Sequence, residues 1–328
     1  MNSFGKLFRI SIFGESHGLC AGISIDGCPP GLALSEADFE TDLGRRRSGS
    51  KGTTPRSEAD IPRIMTGVFN GFTTGAPLMI LFENTNTRSG DYSQFIEVPR
   101  PGHADFAAGV KYKGFADYRG SGHFSGRITV GLVAAGVVAK KLLAPVTVTA
   151  RILEIGGSGQ WEELLDCCIA AGDSVGGIVE CVVEGIPAGW GEPFFDSVES
   201  VIGHIVFAIP AIKGLEFGAG FSAAKMYGSE HNDRIINIDG TTETNHAGGI
   251  NGGITNSNPV VFRVAVKPTA SITKPQQTMN IHTGEMTTLE IPGRHDSCIA
   301  LRMPPILEAA TAIALADLKI RTEKKRSD

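Results

Sequence analysis

Apolar positions along the chain fall into short alternating runs and longer helical stripes. Leu7 to Phe13 and Ala21 to Asp26 read as two strands joined by the turn Gly14-Glu15-Ser16-His17-Gly18. Ile64 to Phe69 and Ala76 to Phe82 are further strand-like runs. Val146 to Ile155 is β-branched, Ile178 to Glu184 alternates with one polar face, and Val260 to Val266 completes the set. The helical period begins at Ser35-Glu36-Ala37-Asp38, a capping box that sets Phe39 and Leu43 one turn apart on a buried face. Ile128 to Leu143 is apolar nearly all round and carries Gly131, Ala134, Ala135, Gly136 and Ala139, which predicts a central, closely packed helix.

Trp161, Leu164, Leu165, Cys168 and Ile169 mark an amphipathic helix, and Asp196 is placed to cap another carrying Val198, Val201, Ile202, Ile205 and Ile209. Pro304 and Pro305 open a last helix to about Ile320, and the charged residues from 321 to 328 should fray. Asp26-Gly27-Cys28-Pro29-Pro30-Gly31 is echoed by Glu184-Gly185-Ile186-Pro187-Ala188-Gly189, each after a strand and before a helix, a faint sign of two related halves. No Pro/Ser linker divides the chain, so the pattern predicts one mixed α/β domain over residues 1–328.

Composition narrows the class. The 328 residues are 41% hydrophobic and 20% charged, enough apolar material for a large core. A net charge of −5 removes any global attraction to nucleic acid or anionic membrane, so an anion site must be local. The longest charge-free apolar run, Ile128 to Ala139, is 12 residues, against the roughly 20 needed to span a bilayer. No Cys-x-x-Cys pair occurs among the six cysteines and no basic-then-apolar leader opens the sequence, which predicts reduced thiols and a cytoplasmic protein.

Five stretches carry chemistry. Arg45, Arg46, Arg47, Lys51 and Arg56 crowd between Asp42 and Glu58 on a Gly/Thr-rich loop, a pocket for a compact polyanion that arginine forks can grip in pairs. A solvated helix end would account for three arginines alone, since cations suit the negative end of a helix. Arg100-Pro101-Gly102-His103-Ala104-Asp105 holds Arg100 and His103 on a stiff turn, and histidine titrates in the range useful for proton transfer. Arg119-Gly120-Ser121-Gly122-His123-Phe124-Ser125-Gly126-Arg127 offers backbone N–H groups ahead of a helix, a general phosphate cradle rather than a nucleotide signature. Asn245 to Gly253 is a glycine-rich loop able to wrap a ligand, and Gly293-Arg294-His295-Asp296 brings a cation, an imidazole and a carboxylate together before the last helix. No histidine spacing suits a metal, so none is expected.

Gly14-Glu15-Ser16-His17-Gly18 also fits the Gly-x-Ser-x-Gly elbow of serine hydrolases, with Ser16 as nucleophile and a distant histidine such as His295. The same turn can instead present His17 as an acid with Ser16 beside it. A phosphate- or RNA-binding module is a third reading of the arginine cluster, without the interleaved aromatics that RNA binders use.

Taken in order, these stretches together with Phe4-Gly5-Lys6-Leu7-Phe8-Arg9 resemble the chorismate synthase family over nearly the whole chain. The resemblance implies a β-α-β sandwich with helices between two antiparallel sheets, assembled as a homotetramer. It implies a 1,4-anti elimination of phosphate from 5-enolpyruvylshikimate 3-phosphate, giving chorismate with the help of reduced FMN, and NADPH only as an indirect source of flavin reduction. His17 would protonate the departing phosphate, His103 would sit by the reduced ring, and Asp296, Ser16 and Ser125 would assist proton transfer. Arg46, Lys51, Arg56, Arg100, Arg127 and Arg294 would hold substrate. His123, Phe124, Ser125, Pro210, Ala211, Gly252, Lys267, Pro268, Thr269, Ala270, Ser271 and Arg294 would hold the flavin. Lys51 stands where many relatives have arginine, and His123, Phe124 and Ile128 depart from the family's usual arginine, serine and glutamate.

Overall fold

The computed structural model describes residues 1–54, 58–85, 90–291 and 295–327. Its elements, numbered in chain order, form two antiparallel sheets. The first runs β1 (Ser3–Phe4), β2 (Arg9–Gly14), β3 (Cys20–Asp26), β7 (Leu78–Glu83), β4 (Arg63–Thr66) in space. The second runs β10 (Ile212–Phe217), β13 (Val260–Val266), β9 (Gly177–Glu184), β8 (Thr147–Ile155). Strict alternation, as in Val260 to Val266 where every second side chain is buried, gives each sheet one apolar face.

Between those faces lie helices α3 (Thr129–Leu143) and α7 (Met303–Ser327), with α3 packed on β3, α7 on β8 and β9, and the two helices on each other. The result is the expected β-α-β sandwich. Around it sit α1 (Glu40–Arg46), α2 (Asp105–Lys111), α4 (Glu162–Ala170), α5 (Val198–Val206) and the single turn α6 (Gly228–His231). Three two-stranded ribbons complete it: β5–β6 (Val68–Phe69 with Phe72–Thr73), β11–β12 (Ile250–Asn251 with Ile254–Thr255) and β14–β15 (Gln276–Met279 with Met286–Leu289).

Small residues set the spacing of the central layer. A Cβ at Gly136 would stand 2.2 Å from Ala309 Cβ and 2.5 Å from its Cα, so only glycine permits this approach of α3 to α7. Because α7 is enclosed, its polar residues need partners. Asp317 Oδ1 accepts the backbone N–H groups of Lys6, Leu7 and Phe8 at 2.9, 2.6 and 2.9 Å, pinning the start of the chain to the helix. Glu308 takes both forks of Arg45 at 2.7 Å, Lys140 at 2.8 Å and the Ala150 N–H at 3.0 Å. Burial alone would raise the Glu308 carboxyl, but Arg45 and Lys140 outweigh it and hold it below the usual carboxylate range. The helical stretch Ile299–Lys325 is long and apolar enough to cross a membrane, yet 78% of its most apolar window is buried inside the sandwich.

The faint repeat is structural. Thr73 Oγ1 donates to Pro29 O at 2.7 Å and accepts the Leu32 N–H at 2.9 Å. Thr255 Oγ1 does the same with Pro187 O at 2.7 Å and the Trp190 N–H at 3.0 Å. Ile25 pairs with Leu78 as Val183 pairs with Val260, and Arg9 faces Asp26 as Thr147 faces Glu184. The two sheets therefore share a register as well as a turn, and each is followed by one central helix.

Two expectations need correction. Ser197, not Asp196, caps α5, its Oγ accepting the Ser200 N–H at 3.1 Å, because Asp196 is drawn away to Lys6 at 2.5 Å and Arg321 at 2.9 Å. The charged tail does not fray at 321; α7 stays helical to Ser327, with Arg321 on Asp196 and Lys325 on Glu192 at 2.7 Å.

Gly136→Ala should lower the stability of the protein by about 1–3 kcal/mol in denaturant titrations, through overpacking of the α3–α7 contact. Gly44→Ala, on α1 with no atom within 4 Å of the added carbon, should instead raise it by about 0.5–1 kcal/mol.

Candidate active site

Both central helices begin at one cavity. A turn of 3-10 helix, Gly126–Ile128, leads into α3 and carries Arg127; another, Ile299–Arg302, leads into α7 and ends on Arg302. Gly126, Arg127 and Thr129 from the first, and Arg302, Met303 and Ile306 from the second, wall a space of about 260 Å³. Helix N-termini present unpaired N–H groups and a positive dipole end, so the position already favours an anion. Ser16, Arg46, Arg47, Glu58, Asp60 and Asp296 are also on the wall, with Ser125 and His295.

The charges there are interlocked. Arg46, at the end of α1, is fully buried and faces Asp60 at 3.5 Å, while Asp60 also binds the Arg127 guanidinium. Burial pulls the Arg46 guanidinium down to about 9, against the opposing pull of Asp60, which leaves it a cation at neutral pH. Its Nε, enclosed and turned from water, has no hydrogen-bond partner among the described residues. Arg302 donates from Nε to the Arg46 carbonyl at 3.0 Å and faces Asp296 at 3.5 Å; Asp296 also accepts the Thr54 N–H at 2.8 Å.

A larger space of about 710 Å³ adjoins the first and shares Tyr92, Gly120, Ser125, Pro210, Thr269 and Ser271 with it. His103, Phe124, Ala211, Lys267, Pro268 and Ala270 line its far side. His103 Nε2 lies 2.8 Å from Ser271 Oγ. Burial, then the neighbouring Arg100 cation, push the His103 imidazole down to about 4, so the ring is neutral at physiological pH. The Thr269 hydroxyl is buried with no partner among the described residues.

The turn between β2 and β3 sits at the junction. The Ser16 N–H donates to Gly122 O at 3.0 Å, and His123 Nδ1 lies 2.8 Å from Gly14 O. Ser16 faces the smaller cavity, whereas His17 is one layer behind, edge-on to Tyr92 at 5.2 Å and covered by Gly120. A Cβ on Gly120, which has φ +57°, would fall 2.4 Å from His17 Cδ2 and 2.8 Å from Ser16 Oγ. Only glycine lets the backbone lie this close to the imidazole.

Some residues singled out in the sequence take other places. Arg100 spends both forks on Asp105 at 2.7 Å and lies over the Phe95 ring, a neutralised brace on the larger cavity rather than an open anion grip. Lys51 pairs with Asp166 at 2.5 Å on the surface and lines neither cavity. Gly252, in the β11–β12 turn, lines neither. Arg56 and Arg294 lie outside the described residues. Asp60, Asn84, Tyr92 and Arg302 were not legible as site residues; the one available signal was Arg302 standing just before the Pro304-Pro305 helix start.

Comparison with known proteins decides the family. The family model for chorismate synthase matches residues 8–320. A chorismate synthase of Chitinophaga pinensis is 62% identical over 99% of this chain and 98% of its own length. One of Dehalococcoides mccartyi is 45% identical over 98% and 97%. A crystal structure of a chorismate synthase superposes with a TM-score of 0.75 at 26% identity, covering 98% of this chain and 97% of the other. The chain belongs to the chorismate synthase family. It is accordingly an enzyme of the carbon–oxygen lyase class, and the serine hydrolase and RNA-binding readings fall away.

Within this chorismate synthase fold the three departures find local reasons. His123 anchors the Gly14 carbonyl, Phe124 lies against Tyr112 at 6.1 Å on the larger cavity, and Ile128 joins the core.

His103 should stay neutral from pH 8 to 6 and titrate near pH 4, as read from its ring signals by NMR. The folded-state value lies below the ordinary 6.5, so on acidification the unfolded chain takes up the proton first. The contribution of this group to stability is complete above about pH 6.5 and is lost as pH falls toward 4. His103→Gln should remove that part of the acid sensitivity.

Proposed function

We propose that the chain converts 5-enolpyruvylshikimate 3-phosphate to chorismate by 1,4-anti elimination, the last step of the shikimate pathway, with reduced FMN. The carrying observation is a pair of adjoining cavities of different chemistry in a chain of this family. The smaller is walled by Arg127 and Arg302 at two helix N-termini and by Arg46 and Arg47 from the end of α1, four cations against Glu58, Asp60 and Asp296, which suits a substrate bearing a phosphate and two carboxylates. The unpartnered Arg46 Nε offers such an anion a buried donor. The larger offers the Phe124 ring, the Lys267 cation and the unpartnered Thr269 hydroxyl, which fit a flat heterocycle with a phosphate tail.

In the reaction the C3–O bond to phosphate and a C6–H bond break, and a second ring double bond forms, with no net redox change. When bound, reduced FMN would supply an electron-rich ring that assists loss of the leaving group and of the C6 hydrogen. His103, Phe124, Pro210, Ala211 and the 267–271 segment would hold it; neutral His103, its Nε2 2.8 Å from Ser271 Oγ, gives a fixed polar edge without an added positive charge. Arg46 and Arg127 would orient the substrate anions, and Arg56 and Arg294 are assigned to the same task by family resemblance alone. His17 would deliver a proton toward the departing phosphate, lowering the charge that leaves, with Ser16 on the cavity wall as its relay. Asp296 and Ser125, facing the same space, would take part in moving the C6 hydrogen.

We read the chain as one unit acting in the cytoplasm as a homotetramer. Exposed Phe195, Phe221 and Ile238 support burial against further copies. NADPH enters only as an indirect source of reduced flavin.

The test is anaerobic mixing of protein, reduced FMN and 5-enolpyruvylshikimate 3-phosphate. Chorismate and phosphate should appear together in equal amounts; flavin binding without either product would sink the reading. His17→Ala and His103→Ala should fold normally by circular dichroism and each lose about a hundredfold or more in kcat.

A further inference from the structure

The proton-donor turn and the anion-binding arginine meet at one neutral side chain. Asn84 directly follows the last residue of β7, and its N–H donates to Leu19 O at 3.1 Å. Its Nδ2 donates to Glu15 O and to Gly18 O, both at 2.9 Å, the two carbonyls that bracket Ser16 and His17. Its Oδ1 accepts from Arg127 Nε at 3.1 Å. The amide orientation is fixed by these partners, because a flipped group would set its oxygen on two carbonyls and its NH₂ on a guanidinium. Arg127 is held on its other edges by Asp60 and by Glu83 O at 3.4 Å, so its Nε edge is aligned through Asn84.

We propose that Asn84 is a positioning residue that ties the His17 turn to Arg127, so that the anion gripped by the guanidinium is registered against the proton donor. The proposal rests on the reaction assigned above. Only a primary amide can do this at that position. It supplies two donors to the turn and one acceptor to the arginine at once, whereas a carboxylate would face two carbonyl oxygens and a hydroxyl has one proton to give. Both tethered groups are otherwise held by separate elements: His17 by the β2–β3 turn, Arg127 by the lead into α3.

The experiment is a mutant cycle with steady-state kinetics. Asn84→Ala should lower kcat by about ten- to a hundredfold and raise KM as well, since both tethers go. Asn84→Asp keeps the acceptor for Arg127 but not the donors to the turn, and should lower kcat with KM changed by less than about threefold. In a His17→Ala background, Asn84→Ala should cost less than about twofold further in kcat, because a residue acting through His17 has nothing left to position. Equal multiplicative losses in both backgrounds, or wild-type kcat in Asn84→Ala, would overturn the proposal. If Asn84→Ala does not fold, the same cycle is run with Asn84→Asp, where additivity with His17→Ala is equally fatal.

A readout independent of turnover separates this from the assigned reaction. In the wild-type protein without substrate, inorganic phosphate should shift the NMR signals of the His17 ring, and Asn84→Asp should abolish that shift. An unresponsive His17 ring in wild type, or a shift retained in the variant, overturns the coupling. Absence of chorismate with an intact, Asn84-dependent shift overturns the assigned reaction and leaves the coupling standing.

Discussion

Close contact between α3 and α7 is the constraint on which the rest of this protein depends. Gly136 lets the helices approach until Ala309 occupies the space a side chain would need. With the helices this close, one layer of helix pairs serves two sheets, and the starts of both helices arrive at the same cavity. Two positive helix ends and the arginines that precede them then act on a single volume. The enclosure of α7 has a further consequence, since Glu308 and Asp317 can be tolerated there only with full sets of partners. Those partners, Arg45 and Lys140 for one and the Lys6–Phe8 backbone for the other, fasten α1 and the first strands to the central layer.

The duplicated turn explains why the site has this shape. Thr73 and Thr255 fasten equivalent Pro-Gly turns, equivalent strands pair in equivalent register, and each half then sends a helix into the middle. Arg127 and Arg302 stand at corresponding points of the two halves, each in the turn just before its helix. The halves are not interchangeable in function. The first contributes the His17 turn and the Gly120–Gly122 cover, the second the Thr269–Ser271 segment and Asp296. The candidate site is thus asymmetric although two similar helix starts converge on it.

Charge compensation decides how the arginines are available. Arg45 and Arg100 are consumed by Glu308 and Asp105, and they brace the scaffold. Arg46 and Arg127 share Asp60, a partner that holds both on the cavity wall, and the buried Arg46 Nε has no hydrogen-bond partner among the described residues. His103 belongs to the same economy of charge: beside Arg100 and Lys267 and out of water, its ring is neutral.

Much of the fold is written in local pattern. Alternation in Val260 to Val266, the capping box at Ser35 and the small-residue helix from Ile128 are readable locally, because side-chain periodicity is a property of neighbouring residues, although the strand's backbone hydrogen bonds go to β9 and β10 far away in the chain. The chemistry-bearing residue types at Ser16, His17, His103, Arg127 and Asp296 stand out equally in the sequence, since few structural roles demand them in glycine-framed turns, and Arg46 stands out by its place in a run of three arginines. Partner choice does not. Whether an arginine opens onto a cavity or closes on a carboxylate depends on residues far away in the chain, as Arg45 shows with Glu308 and Lys51 with Asp166. Asn84 and Asp60 have ordinary sequence surroundings and gain meaning only from what the fold sets against them. The sequence determined the elements and the reactive groups, through interactions among neighbours. Tertiary structure alone decided which groups meet, because that is set by the contact of two helices 173 residues apart at Gly136 and Ala309.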